Sequence, residues 1–102
     1  MNYEEIIMGL IVNGGNARSK SMEAIAMAKE GEIEEAKKLL EEASEYLGKA
    51  HESQTQLIQT EAGGTKVELS ILMIHAQDHL MNAMTVKDLA GEFIDMYERF
   101  SK

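Results

Sequence analysis

An all-α, antiparallel up-down-up three-helix bundle is the fold this chain predicts, on three observations. Its 102 residues contain no proline, so nothing in the chain forces a helix to stop. Glycine-bearing breaks at Glu30-Gly31-Glu32 and Ala62-Gly63-Gly64-Thr65-Lys66 divide it into three stretches of helix length. Within each stretch apolar residues recur at steps of three and four, which lines one face of a helix. Both connections are short, so consecutive helices are expected to pack antiparallel. The whole chain, residues 1–102, reads as one domain.

The first helix is expected from Glu4 to Lys29. Ile6, Leu10, Ala17, Ala24 and Ala28 share a stripe, with Ile7, Ile11 and Ile25 beside it. Gly14-Gly15 allows an end, a kink or a close helix contact. With no proline near, the helix is expected to continue through it. Gly31 suits a C-terminal cap, and Glu32, Glu34 and Glu35 suit the next N-terminus. The second helix is expected from Glu32 to Glu61. Its seam (Ile33, Ala36, Leu40, Ala43, Leu47, Ala50, Gln54, Leu57) alternates steps of three and four and has one polar member, Gln54. The third helix is expected from Val67 to Phe100. Leu72, Ala76, Leu80 and Ala83 make one stripe, and Ile74, Met81 and Met84 make another. A helix in a three-helix monomer needs one buried face, so a helix apolar on several faces implies packing against another subunit.

Composition excludes whole classes of function. A formal net charge of −8 argues against nucleic acid and anionic membrane surfaces. The absence of cysteine removes disulfides, thiolate metal sites and cysteine nucleophiles. The N-terminus Met1-Asn2-Tyr3-Glu4-Glu5 has no basic region of a signal peptide, and no apolar run has the length of a membrane span. A cytoplasmic location without membrane insertion is the expectation.

The chemistry concentrates in His75-Ala76-Gln77-Asp78-His79, where two of the three histidines lie within an otherwise apolar segment. On a helix His75, Asp78 and His79 share one side at i, i+3, i+4. Counting seven residues from Glu61 and from Glu68 across the second break sets Gln54 near His75, with Ser53 and His51 close by. Three chemistries suit such a knot. The two histidines with Asp78 can ligate a transition metal. One imidazole can act as a nucleophile carrying a phosphoryl group, with Gln77, Gln54, Ser53 and His79 as donors to its oxygens. Or the histidines fix packing and oligomer state, with Asp78 setting a tautomer. Alanine at position 76, where helical metalloproteases carry glutamate, argues against a hydrolytic metal site. An Asp78 facing a symmetry axis would meet its own copies, and such carboxylates need a cation or protons.

The segment Met73-Ile74-His75-Ala76-Gln77-Asp78-His79-Leu80-Met81 closely resembles the active-site segment of the lactose/cellobiose-type enzyme IIA of the bacterial phosphoenolpyruvate-dependent sugar phosphotransferase system. Gly15-Asn16-Ala17-Arg18-Ser19 and Ala50-His51-Glu52-Ser53-Gln54-Thr55 are also similar to that family. The resemblance implies a homotrimer of three-helix bundles acting as a phosphocarrier. His75 would accept the phosphoryl group on Nε2 from phospho-HPr and pass it to enzyme IIB. Gln77 and His79 would support the phosphoryl group. Asp78 would meet its symmetry mates around one magnesium ion per trimer. The sugar, a disaccharide of the cellobiose, chitobiose or lactose type, would be bound by the membrane component and not by this chain. The alternative from the residues alone is a non-enzymatic helical adaptor with a structural His/Asp metal site.

Overall fold

The computed structural model describes residues 2–101 and contains three helices: α1 (Tyr3–Lys29), α2 (Ile33–Ala62) and α3 (Ile71–Phe100). They form an antiparallel up-down-up bundle 55 × 20 × 18 Å in extent. Both connections leave their helix in the same way. The N–H of Gly31 donates to Ala28 O at 3.0 Å and that of Glu32 to Met27 O at 2.9 Å; Gly64 and Thr65 repeat the pattern on Glu61 O and Thr60 O. This is the paired-carbonyl cap that needs a left-handed residue just past the helix. Gly31 (φ +83) and Gly64 (φ +102) supply it without a Cβ penalty.

α1 runs unbroken through Gly14-Gly15, as expected, and lies against both other helices. Its core positions are Ile7, Leu10, Gly14, Ala17, Ser21, Ala24 and Ala28; Ile6, assigned to the stripe from the sequence, is only half-buried and Ile7 takes its place. Ser21 is the one buried polar side chain among the described residues, and its hydroxyl donates to Ala17 O at 2.8 Å. Alanines at 17, 24, 28, 36, 43, 50, 76, 83 and 90 are almost wholly buried, so the helices approach closely and the core is thin. An ion pair from Lys37 to Glu98, 2.9 Å, links the start of α2 to the end of α3. The Glu98 hydrogen bond raises the Lys37 pKa above its ordinary value against the opposing effect of desolvation. A raised lysine pKa contributes stability below the unfolded value and loses it only as pH climbs through the folded one, so this pair is intact at neutral pH.

The third helix corrects the sequence reading at its start. It begins at Ile71 rather than Val67, because the Ser70 hydroxyl accepts from Met73 N at 3.1 Å and caps the first turn. Residues 66–70 cross the end of the bundle in an irregular path. Val67 is 7% exposed in the core, and Glu68 N donates to the Tyr3 hydroxyl at 3.2 Å. The inward stripe differs from the expected one only at its first member. Met73, Ala76, Leu80 and Ala83 are buried, whereas Leu72, assigned inward from the sequence, is 54% exposed. The outer face of α3 nevertheless carries exposed apolar residues, Ile71, Ile74, Met81, Leu89 and Met96, at steps of three, seven, eight and seven, with Asp78, Thr85 and Glu92 between them. A face of this kind marks an interaction surface.

Candidate functional site

His75 and His79 are brought together. One helical turn apart on α3, their rings stack with centroids 6.2 Å apart and planes 17° from parallel. Their environments differ. His75 is exposed, while His79 is half-buried on the flank facing α1. The Gly14-Gly15 pair is what admits it. A Cβ built on Gly14 would lie 3.2 Å from His79 Cδ2 and 3.6 Å from Leu80 Cα, and one on Gly15 would lie 3.4 Å from His79 Nε2. The two glycines therefore let α1 and α3 close on the ring and hold it beneath His75. Gly14→Leu should force the helices apart and cost about 1–3 kcal/mol by overpacking, even though leaving glycine improves helix propensity by about 1 kcal/mol. Urea unfolding reads the balance; an unchanged midpoint would show that the contact is slack.

Asp78 is exposed on the outer apolar face and accepts one hydrogen bond, from Asn82 Nδ2 at 3.3 Å. Among the described residues no group of three or more His, Asp or Glu side chains within one chain is placed to hold a metal ion.

Gln77 stands apart from the histidines. At 100° per residue, it projects about 160° around α3 from His75. It faces α2, where Gln54 Nε2 donates to its Oε1 at 2.7 Å. The registry argued from the sequence thus slips by about half a turn, since Gln54 meets Gln77 rather than His75. Ser53 is half-buried and His51 exposed, and neither has a hydrogen bond to the histidines among the described residues. Beside Gln77 a cleft of about 270 Å³ opens between α2 and α3, lined by Leu57, Ile58, Val67, Met73 and Ile74. The two flanks of α3 thus carry different chemistry: an imidazole pair on the α1 side, and an amide pair with an apolar cleft on the α2 side. Asp78 lies on the ridge between them.

Residues 5–98 match the family described as "PTS system, Lactose/Cellobiose specific IIA subunit". The chain belongs to this IIA family. The lichenan-specific phosphotransferase enzyme IIA component of Bacillus subtilis is 61% identical over 99 residues, covering 97% of this chain and 90% of that relative. The crystal structure of the cellobiose-specific enzyme IIA from Bacillus anthracis superposes with a TM-score of 0.92 at 55% identity, covering 97% and 91% of the two chains. The IIA(chitobiose) component of Escherichia coli, solved in solution as a complex with HPr, superposes with a TM-score of 0.85 at 38% identity over 100% of this chain and 99% of that one. IIA components are phosphocarriers of a sugar transport system, and this family membership places the chain among them. No helix among the described residues is long and apolar enough to cross a membrane.

Proposed function

We propose that this IIA chain accepts a phosphoryl group from phospho-HPr on His75 and passes it to enzyme IIB, in the uptake of a disaccharide of the cellobiose, chitobiose or lactose type. The observation that carries the reading is the exposed His75 ring stacked on a half-buried His79. The nucleophile is open to a protein donor, while the supporting ring is fixed. In the transfer, an unprotonated Nε2 of His75 attacks phosphorus in line, the P–Nε2 bond forming as the bond from phosphorus to HPr breaks; the proton stays on Nδ1. Transfer to enzyme IIB repeats the displacement with His75 as leaving group. The protein's share is positioning and charge stabilisation, with His79 donating to a phosphoryl oxygen. The complex of HPr with the Escherichia coli relative supports HPr as donor. The sugar stays with the membrane component, and the chain works in the cytoplasm.

The working form is a homotrimer in which the outer faces of α3 line a three-fold axis. Exposed Ile71, Ile74, Met81, Leu89 and Met96 supply an apolar seam for it. The same arrangement gives Gln77 a role. Helical geometry sets His75 about 60° to one side of Asp78 and Gln77 about 100° to the other. In a parallel ring the His75 flank of each chain then meets the Gln77 flank of the next, so that Gln77 supports a phosphoryl group carried by its neighbour. Copies of Asp78 converge on the axis as a set of hard oxygen donors, which suits magnesium. An ion held there would neutralise carboxylates that otherwise repel one another.

The test is a chase. The chain phosphorylated by phosphoenolpyruvate, enzyme I and HPr is separated from its donors and mixed with the cognate enzyme IIB. The phosphoryl group should leave the chain and arrive on enzyme IIB. A phosphorylated chain that keeps its group in the presence of active enzyme IIB would refute the relay.

A further inference from the structure

The amide pair on the α2 flank fixes which end of Gln77 is free. Gln54 Nε2 lies 2.7 Å from Gln77 Oε1 and 3.6 Å from the sulfur of Met81. A thioether sulfur can only accept a hydrogen bond, so the Gln54 atom facing it is the amide nitrogen. That nitrogen, as donor, requires the carbonyl end of Gln77 opposite it. Both N–H groups of Gln77 are left unused, for no hydrogen bond among the described residues engages its Nε2. Gln54 is the single polar member of the α2 seam and is half-buried, and its amide nitrogen is engaged by both Gln77 and Met81.

We propose that Gln54 is a positioning residue for phosphoryl transfer: by occupying the carbonyl of Gln77 it locks that amide as a pure donor toward an anionic group. An unrestrained amide can turn its oxygen toward a phosphoryl oxygen, which repels it; the clasp removes that orientation. The inference rests on the carrier reading above and on Gln77 serving the neighbouring chain's His75.

Gln54→Glu tests it, because the substitution keeps size and reverses hydrogen-bond polarity. A carboxylate at 54 accepts, so Gln77 must turn its nitrogen inward and its oxygen outward. Transfer from phospho-HPr is followed by quenched mass spectrometry for the wild type, Gln54→Glu, Gln54→Ala, Gln77→Ala and the double variant Gln54→Glu with Gln77→Ala. Gln54→Glu should slow transfer about tenfold or more, the effect of one hydrogen bond replaced by a repulsion. Gln54→Ala, which frees the amide without inverting it, should slow transfer less. In the Gln77→Ala background Gln54→Glu should add nothing. The Gln77 side-chain NH2 resonance should also shift in Gln54→Glu, a signature that general loosening would not give. Wild-type transfer in Gln54→Glu, or an equal loss with Gln77 already removed, would overturn the inference while leaving the carrier reading intact. A wild-type chain that takes no phosphoryl group would overturn both, and that control is read first.

Discussion

His75→Ala should leave the chain unable to take a phosphoryl group from phospho-HPr while its fold is unchanged. The side chain is exposed and makes no hydrogen bond among the described residues, so its removal vacates no core volume. Alanine is also a better helix former than histidine. Stability should therefore move by less than about 0.5 kcal/mol, the ordinary range for a surface position. Acceptance, in contrast, should vanish, because His79 is half-buried against Gly14-Gly15 and does not present an equivalent open ring. Circular dichroism and a thermal melt give the first quantity and intact mass the second. A variant that still acquires a phosphoryl group would move the nucleophile to another residue.

Asp78→Leu should separate metal binding from assembly. Asp78 interrupts an exposed apolar face, and a leucine there would extend it. Desolvating like-charged carboxylates together is unfavourable without a cation. In chelator, the variant should therefore outlast the wild type. Removing about 1 kcal/mol of repulsion per chain corresponds to a Tm higher by about 4–8 °C at this chain length. Elemental analysis should find metal in the wild-type protein and only background in the variant, and added magnesium should raise the Tm of the wild type alone. Equal metal content in the two proteins, or equal Tm values in chelator, would remove Asp78 from the axis.

Most of the architecture was legible because it rests on local rules. The Gly31 cap follows from a glycine after a periodic run, and the structure places it at φ +83 with both cap hydrogen bonds made. The start of α3 is legible in principle, yet the expectation of Val67 lies four residues before the observed Ile71. Val67 and Leu69 extend the apolar pattern backward, but Ser70 before Ile71-Leu72-Met73 is an N-cap signal, and the cap decides where the helix begins. The exchange of Leu72 for Met73 in the core accompanies that difference.

Two features of the site lay beyond the sequence for a different reason, since both depend on which helix lies across from a residue. Gly14-Gly15 is compatible with an end, a kink or a close contact until His79 is known to sit against it. Gln54 is recognisable as the odd member of its seam, yet the half-turn that pairs it with Gln77 instead of His75 is set by how Val67 and the extended residues 66–70 cross the bundle end. That crossing is a tertiary matter that counting back from the turn does not capture.

The central claim is that His75 carries a phosphoryl group, and the most direct measurement is intact-mass spectrometry of the wild-type chain at neutral to alkaline pH after incubation with phosphoenolpyruvate, enzyme I and HPr, followed by peptide mapping. One added phosphoryl group per chain, acid-labile and located on His75, is the predicted result. No added mass while HPr itself is phosphorylated, or a group located elsewhere, would contradict it and favour a helical adaptor built around a structural metal.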